Sequence, residues 1–313
     1  MKIRIVFVLV SLVLSALTGC TFLKVSMIEE VQPFQEQVVS GRGKDKVLIL
    51  DISGVIMAGE SGAVPGGKTK PGLLASVRES LDRARKDDRI KAVVLRISSP
   101  GGGVTASDML YQELKRFQQE TGKVLHAHIT DVGASGAYYA ALAAGTITAQ
   151  PTSVVGSIGV IMYRVDATSL LQKIGIQAAE ISSGDKKSLG SPFRPLADDE
   201  RKLFQGFIDS LFARFAGLVA AERKLSPDAV KKAADGRIMT SQEAQSLGLI
   251  DGIGYLDDAV ESAKKKAGIS DATVVMYVRP GEYRTTIYSQ SMINIDFGGF
   301  TEPGAQFLYL WWP

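Results

Sequence analysis

Cysteine is almost absent from the chain, since Cys20 is the only one in 313 residues. A single cysteine cannot form a disulfide within the chain or supply a set of thiolate ligands to a metal. Histidine is nearly as scarce, with only His126 and His128. They lie two residues apart in a predicted strand and share one face, but no third ligand suggests itself. The sequence therefore predicts structural roles for both histidines, no metal site and no cofactor.

An excess of charge of one sign is also missing. The formal net charge is only +3 at pH 7, and no block of like charge is long enough to predict a nucleic-acid site or a polybasic membrane patch. The length of the chain suits one large domain or two small ones. We therefore expect no nucleic-acid partner.

The first residues have the features of an export signal. Lys2 and Arg4 precede an apolar run at 5–17, which has the length of a secretory signal and is too short to span a membrane comfortably. The run ends in Leu-Thr-Gly-Cys, which resembles the bacterial lipobox, so that cleavage would leave a lipidated Cys20. The alternative is an uncleaved signal anchor with a chance cysteine. Either interpretation places most of the protein on the extracytoplasmic (periplasmic) side of a bacterial membrane, tethered to it.

Strands and helices alternate along the chain, which predicts an α/β domain with a largely parallel sheet. The predicted strands are 47–52, 90–97, 123–130, 154–161, 176–181 and 272–278. The predicted helices are 73–86, 105–119, 138–144, 167–174 and 257–267, with two or three more in 198–249. No regular pattern follows residue 279. The resulting division is a signal peptide at 1–19, a stalk at 20–45, the α/β domain at 46–268, and a C-terminal strand with an apolar tail at 269–313.

Ser135 lies where a predicted strand turns into a predicted helix. The small residues Gly133, Ala134 and Gly136 surround it. A serine in such a turn exposes its hydroxyl beside backbone N–H groups at the positive end of a helix, which suits a nucleophile. The alternative role is a helix N-cap alone. The run Pro-Gly-Gly-Gly at 100–103 also joins a strand to a helix, and it predicts either an oxyanion hole or a simple tight turn.

A nucleophilic serine needs a base, and the two histidines precede Ser135 on the same strand. A triad of Ser135, histidine and Asp131 is possible but cramped. The other candidates are Lys186 and Lys187, in a polar loop after an apolar segment. An ordinary lysine is charged at pH 7, but burial in an apolar pocket lowers a lysine pKa enough to make the amine a proton acceptor. The alternative is a pair of solvated charges.

Four motifs in order resemble the signal peptide peptidase A family. They are Ser-Pro-Gly-Gly at 99–102, Gly-Ala-Ser-Gly at 133–136, Gly-Ser-Ile-Gly-Val at 156–160, and Gly184 followed by Lys187. The resemblance runs from about residue 38 to 268. It implies a membrane-tethered serine endopeptidase with a Ser–Lys dyad, whose peptidase domain occupies 46–268. The implied fold is the crotonase-like (Clp protease-like) α/β fold, a ββα superhelix with a helical C-terminal part.

The resemblance also implies a role for each site residue. Ser135 is the nucleophile, Lys187 the general base, and the Ser157 hydroxyl holds the lysine amine. The N–H groups of Gly102 and Gly136 form the oxyanion hole. The family's spacing selects Lys187 over Lys186, although a one-residue shift of the loop would reverse that choice.

The same resemblance implies how the enzyme is assembled and what it cleaves. A short chain with one catalytic unit implies a homo-oligomeric ring with active sites where protomers meet. The implied substrates are cleaved signal peptides and unfolded envelope polypeptides.

Three other functions fit single features. The run at 62–69 satisfies the P-loop pattern letter for letter, but Pro71 falls where the following helix should begin, and export argues against an ATPase. A crotonase-type acyl-CoA enzyme would share the fold, but export and the Ser135 and Lys187 pair argue against it. A catalytically silent, peptide-binding envelope lipoprotein is the remaining alternative.

The C-terminal segment 307–313 is strongly apolar and carries both tryptophans of the chain. Such a segment is seldom left in water. It could contact a neighbouring subunit, lie at the membrane interface, or occupy the substrate groove as an extended peptide. We expect it to pack against the enzyme itself.

Overall fold

The computed structural model describes residues 32–59, 71–280, 286–288 and 306–311. The predicted signal peptide at 1–19, the lipidation site Cys20 and the P-loop-like run at 62–69 lie outside the described residues.

A parallel sheet forms the centre of the described chain, with strand order β1-β11-β2-β3-β5-β6-β10. The strands are β1 (Gln35–Ser40), β2 (Asp45–Ser53), β3 (Ile90–Ser99), β4 (Gly101–Gly103), β5 (Val124–Ala134), β6 (Thr146–Ala149), β7 (Val154–Gly156), β8 (Ile161–Tyr163), β9 (Ile238–Thr240), β10 (Gly252–Ile253), β11 (Ala272–Val278) and β12 (Gln306–Leu310). The first half of β5 pairs with β6 and its last residues pair with β7, both in parallel. The predicted α/β class with a largely parallel sheet is confirmed.

The helices cover both faces of this sheet. They are α1 (Leu73–Lys86), α2 (Val104–Thr121), α3 (Gly136–Ala141), α4 (Thr168–Lys173), α5 (Asp198–Arg223), α6 (Pro227–Ala233), α7 (Ser241–Ser246) and α8 (Leu256–Lys266). Alternate residues of β2 face opposite sides, so that Leu48 and Leu50 join the core with α1 and α2 while Val47 and Ile49 pack against α8. Each such buried aliphatic side chain stabilises the fold by about 1.5–3 kcal/mol.

Two predicted elements are wrong. Residues 176–181 form no strand: the segment is exposed, and without a neighbouring strand its apolar residues cannot complete a ladder. The predicted strand at 154–161 is divided into β7 and β8, because Gly156 and Ser157 both have positive φ, 99° and 49°. That turn interrupts the extended backbone.

Both ends of the described chain are more regular than predicted. Part of the expected stalk, 35–40, is strand β1, which pairs antiparallel with β11 at the edge of the main sheet. The tail that lost its pattern after residue 279 contains β12, the central strand of a small antiparallel sheet with β4 and β8. Both strands depend on partners far away in sequence, which local patterns do not reveal.

Helix α5 is the longest of the described helices, and its first turn carries Asp198, Asp199 and Glu200, which complement the helix dipole. Within the described residues it is the one helix whose length and composition would allow it to cross a membrane. Part of its apolar surface instead packs on the chain itself, through Phe204 and Phe215. Other apolar residues, such as Phe207, are exposed.

Candidate active site

Ser135 occupies the predicted turn between strand and helix. β5 ends at Ala134 and α3 begins at Gly136, while Ser135 itself has φ 53° and ψ −117°, a conformation that L residues seldom adopt. Its backbone N–H donates to the Gly156 carbonyl at 2.8 Å, which fixes the turn against β7. A strained conformation held this firmly is typical of functional turns.

Ser157 lies beside Ser135 because their strands are neighbours. Ala134 on β5 pairs with Gly156 on β7. Ser135 directly follows Ala134 and Ser157 directly follows Gly156, so the two serines leave the sheet side by side. The Ser157 N–H donates to the Arg237 carbonyl at 2.7 Å. Ser157 also lines a cavity of about 330 Å³, together with Phe212 and Leu310.

The glycine run, which forms strand β4 (Gly101–Gly103), has two hydrogen-bonding edges. On one side the Gly103 N–H donates to the Ile56 carbonyl and the Ile56 N–H donates to the Gly101 carbonyl, both at 2.8 Å. Successive residues of a strand direct their backbone groups to opposite sides. The N–H of Gly102 therefore points the other way, towards β12.

The backbone at Gly101 and at Gly136 lies too close to neighbouring atoms for either residue to carry a side chain. A Cβ on Gly101, whose φ is +100°, would lie 2.1 Å from the Tyr309 carbonyl oxygen and 2.7 Å from the Gly136 nitrogen. A Cβ on Gly136 would lie 2.2 Å from Ser107 Oγ and 3.2 Å from the Gly102 nitrogen. The backbone nitrogens of Gly102 and Gly136 and the Tyr309 carbonyl oxygen therefore lie around one small space.

The two candidate lysines have different surroundings. The Lys186 ammonium donates to Asp199 Oδ2, and this hydrogen bond is the main cause of a raised Lys186 pKa. The Lys187 side chain is exposed, and the backbone N–H of this residue donates to the Gly184 carbonyl at 3.0 Å. Within the described part of this single chain, no hydrogen bond joins the side chains of Lys187 and Ser135.

Arg194 ties the lysine loop to α5. One of its nitrogens, Nη2, donates to the Ser188 carbonyl at 3.0 Å and to Glu200 Oε1 at 2.5 Å. Glu200 is buried, and the Arg194 hydrogen bond holds its pKa below the usual range. Arg164 adds a second anchor through the Ser191 carbonyl at 2.7 Å. The loop is therefore exposed but fixed at its base.

The histidines have the structural role that the sequence predicts. His126 Nε2 and His128 Nδ1 both lie 2.9 Å from Thr148 Oγ1, and both rings are completely buried. Burial lowers the pKa of each to about 4. Asp131 is exposed. Rings engaged with Thr148 do not support a triad with Ser135.

Sequence reasoning missed the residues that surround the tail. β12 lies between β4 and β8, so the expectation that the C-terminal segment packs on the enzyme is confirmed for 306–311. Its side chains meet Tyr139, Phe204, Phe207 and Phe215. Tyr139, an aromatic residue four positions after Ser135 on α3, is the sequence feature that could have predicted this contact with the tail.

Comparison with known proteins gives one family and several relatives. Residues 117–270, which include Ser135, Ser157 and Lys187, match Peptidase family S49. A signal peptide peptidase SppA of Enterococcus faecium is 33% identical over 244 residues, covering 78% of this chain and 70% of that protein. The chloroplastic serine protease SPPA of Arabidopsis thaliana is 35% identical, and the match covers 81% of this chain and 38% of that protein. Protease 4 of Salmonella typhi is 32% identical, and the match covers 71% of this chain and 34% of that protein.

Proposed function

Because the chain belongs to peptidase family S49, the signal peptide peptidase A family of serine peptidases, we propose that Ser135 and Lys187 are its catalytic dyad. Members of this family have the Clp protease-like, or crotonase-like, fold, which is the parallel sheet with flanking helices described above. The protein is a serine peptidase, and the proposal concerns which residues do the work, where they meet and what they cleave.

The observation that carries the proposal is the closeness of the Gly102 and Gly136 backbone nitrogens to each other and to one carbonyl oxygen, next to Ser135. A peptide carbonyl in that space would receive hydrogen bonds from two fixed backbone donors. Such donors stabilise the negative charge that develops on the oxygen when a nucleophile attacks the carbonyl carbon. Removing one such donor typically costs about 10²–10³ in kcat.

The base is Lys187, supplied by a neighbouring subunit of a homo-oligomeric ring. Its loop lies in a stretch of chain that exposes many large apolar side chains, namely Tyr163, Val165, Leu170, Ile174, Ile176, Ile181, Phe193, Leu203 and Phe207. An apolar surface of this extent favours contact with another protein copy. Burial of the lysine amine at that contact favours its neutral form, because desolvation penalises the charged form.

Acylation, the first half of the proposed reaction, uses two proton transfers. The neutral amine of Lys187, held by the Ser157 hydroxyl, accepts the Ser135 proton as Oγ attacks the carbonyl carbon. The amide groups of Gly102 and Gly136 stabilise the oxyanion, and the lysine then protonates the leaving amine. Water hydrolyses the acyl-enzyme and releases Ser135. Lys186 is unsuited to this role, because its ion pair with Asp199 stabilises the charged form.

We further propose that the substrates are cleaved signal peptides and unfolded envelope polypeptides, and that a lipid on Cys20 tethers the enzyme on the extracytoplasmic (periplasmic) side of a membrane. The lipobox-like sequence before Cys20 supports the tether. The name of the Enterococcus relative, a signal peptide peptidase, supports the substrate class.

The dyad is tested with three variants of the full-length protein. Ser135→Ala and Lys187→Ala should each abolish hydrolysis of an unstructured peptide, whereas Lys186→Ala, the matched control, should keep wild-type activity. If the dyad joins two subunits, co-expression of the two inactive variants should restore about one quarter of wild-type activity in a ring, because one site in four receives both intact residues.

Two results would contradict the proposal. Full activity in Lys187→Ala would remove the lysine from the mechanism. No recovery in co-expressed mixed rings would place both dyad residues in one subunit. Labelling of Ser135 by a fluorophosphonate reports its nucleophilicity in each variant separately from peptide binding.

A further inference from the structure

The loop that carries Lys187 is closed by hydrogen bonds within its own backbone. The Lys187 N–H donates to the Gly184 carbonyl at 3.0 Å. The Ser191 N–H donates to the Ser188 carbonyl, also at 3.0 Å. The backbone at 184–191 is therefore compact, although the Lys187 side chain is exposed. The direction of that side chain depends on how the whole loop is fixed to the rest of its subunit.

Arg194 contacts the residue that directly follows Lys187. Its Nη2 donates to the Ser188 carbonyl at 3.0 Å and lies 3.2 Å from Ser188 Oγ. A guanidinium is a planar group with donors in a rigid arrangement, so two contacts to one residue fix the orientation of that residue. The anchored backbone is thus one residue away from the proposed base.

Glu200 fixes the Arg194 guanidinium in turn. Nη1 donates to Glu200 Oε2 at 2.9 Å and Nη2 donates to Oε1 at 2.5 Å, which is the two-pronged geometry of a strong arginine–carboxylate pair. The Glu200 side chain is only 3% exposed, and its Oε2 also accepts the Ala197 N–H at 3.2 Å. A buried carboxylate held in this way ties the loop to the first turn of α5.

Arg164 holds the far end of the same loop. Its Nη2 donates to the Ser191 carbonyl at 2.7 Å and also to the Arg194 carbonyl. Arg164 directly follows β8, so this contact joins the loop to the small sheet of the same subunit. The position of the loop is therefore set within one chain, before any contact with a second copy.

Lys186 makes a weaker contact with the same helix. Its ion pair with Asp199 joins two side chains that are 51% and 63% exposed. Ion pairs between exposed groups contribute little to holding a structure in place, because water screens the charges and both side chains remain free to move. Arg194 and Glu200, and not Lys186 and Asp199, are therefore the contacts that hold this part of the loop.

Resting on the dyad proposed above, we infer that Arg194, oriented by Glu200, is a positioning residue for the general base. It fixes the backbone at Ser188 so that the Lys187 amine reaches Ser135 of a neighbouring subunit. Arg194 acts through the loop and takes no part in the proton transfers.

Arg194→Ala should lower kcat and leave KM nearly unchanged. The amine is then misplaced, whereas the surface beside Ser135 is intact, and a displacement of about 1 Å at a reacting group costs about 100-fold. Arg194→Lys keeps a positive charge but loses the two-pronged geometry, so its loss of kcat should be smaller. Lys186→Ala, in the same loop, is the matched control and should keep the wild-type kcat.

Glu200→Gln tests the second half of the contact. The amide keeps the size of the side chain but presents an NH₂ group, a donor, to the Arg194 guanidinium. We expect a loss of kcat at unchanged KM, as in Arg194→Ala. Light scattering and circular dichroism on each full-length variant measure its mass and fold. If Arg194→Ala does not fold, Arg194→Lys and Glu200→Gln carry the test.

Mixed oligomers show which side of the site Arg194 serves. Co-expression of Arg194→Ala with Ser135→Ala should restore about one quarter of wild-type activity, because one site in four combines an intact serine with an intact lysine loop. Co-expression of Arg194→Ala with Lys187→Ala should give no more activity than Arg194→Ala alone, since both changes damage the same loop. A general loss of stability in Arg194→Ala would prevent recovery in both mixtures.

Fluorophosphonate labelling of Ser135 gives a readout that does not involve peptide binding. Arg194→Ala and Lys187→Ala should each slow the labelling. The double variant should be no slower than Lys187→Ala, because Arg194 cannot position an amine that is absent. Such non-additivity is expected when two residues act through one interaction.

The outcomes separate this inference from the proposed function. The inference is wrong if Arg194→Ala keeps the wild-type kcat, or if Ser135→Ala complements Lys187→Ala but not Arg194→Ala. Additive slowing of labelling in the double variant would also overturn it, and each of these results would leave the dyad standing. If Ser135→Ala and Lys187→Ala do not complement each other, the site shared between subunits is wrong, and the labelling experiment still decides whether Arg194 acts through Lys187.

Discussion

Gly136 occupies a position where a single methyl group would close the site. Its Cβ would lie 2.2 Å from Ser107 Oγ, and Ser107 is fixed because its hydroxyl donates to the Gly103 carbonyl at 2.9 Å. We predict that Gly136→Ala displaces the amide proposed as an oxyanion donor and lowers kcat/KM about 100-fold or more, as expected for loss of one such donor. Steady-state hydrolysis of an unstructured peptide measures this, with circular dichroism to confirm folding.

Gly217→Ala is the control for this substitution. Gly217 lies on α5, and nothing within 4 Å would meet its Cβ. Alanine in an exposed helical position stabilises by up to about 1 kcal/mol relative to glycine, so we expect unchanged activity and a slightly higher Tm. Wild-type activity in Gly136→Ala would remove the Gly136 amide from the oxyanion hole.

The buried histidine pair makes stability depend on pH. Burial lowers the pKa of His126 and His128 from 6.5 to about 4, so both are neutral in the folded protein. Between pH 6.5 and 4 the unfolded chain binds more protons than the folded one, and the free energy of unfolding therefore falls as the pH drops through this window. The loss amounts to about 3 kcal/mol per ring.

Urea unfolding at pH 7, 5.5 and 4.5 measures this loss. Replacement of both histidines by valine, a good strand former, should flatten the dependence in that window. An equally steep fall in the free energy of unfolding of the double variant would show that other titrating groups cause the pH dependence. The activity of the variant at pH 7 should remain, because neither ring contacts Ser135.

At the scale of single residues, the sequence was sufficient to predict the turn at Ser135, but apart from the family's spacing it did not distinguish Lys186 from Lys187. A serine between Ala134 and Gly136 predicts the strand-to-helix turn from local backbone preferences, and the structure confirms that turn. Lys186 and Lys187 look equivalent in sequence. They differ in the structure through Asp199, which lies twelve or more residues away in the chain and forms an ion pair with Lys186.

Elements with their own periodic pattern were predictable. Helix α1 was predicted at 73–86 and is found there, because Val77 and Leu81, one turn apart, both face the core. The strand at 272–278 is likewise confirmed. β1 and β12 were missed because each gains its hydrogen bonds from distant strands, and 176–181 was a false strand because it has no such partner.

Removal of β12 tests what its position beside Gly102 and Gly136 does to activity. We predict that deletion of 305–313 raises kcat/KM for short unstructured peptides several-fold, because the Tyr309 carbonyl oxygen would no longer occupy the space beside the Gly102 and Gly136 nitrogens. The deletion should also lower stability by a few kcal/mol, since Leu308 and Tyr309 are buried. Peptide hydrolysis and urea unfolding measure the two effects.

Deletion of 312–313 alone is the control, since it keeps all of β12. It should behave as the wild type in both assays. If the longer deletion changes neither activity nor oligomer size, the segment has no role at the candidate active site or in assembly.

At the scale of the whole molecule, the exposed apolar side chains and the lysine loop belong to one stretch of chain. Ile181 and Phe193, both exposed, flank Lys187 at short distance in the sequence. The loop between them is fixed at its base by Arg194 and Arg164. A rigid loop among exposed apolar residues is suited to deliver an amine to another subunit, so assembly and catalysis should fail together.

We therefore predict that Ile174→Asp combined with Ile181→Asp disrupts the oligomer and abolishes peptidase activity, although neither residue touches Ser135. Two carboxylates buried at an apolar contact would lose their hydration without gaining a partner. Light scattering on detergent-solubilised full-length protein measures the mass, and peptide hydrolysis measures activity. Tyr255→Asp, at an exposed position just before α8 and outside this stretch of chain, is the matched control and should leave both unchanged. A dissociated protein that keeps full activity would show that one chain completes its own site, and Lys187 would then have to reach Ser135 by movement of its loop.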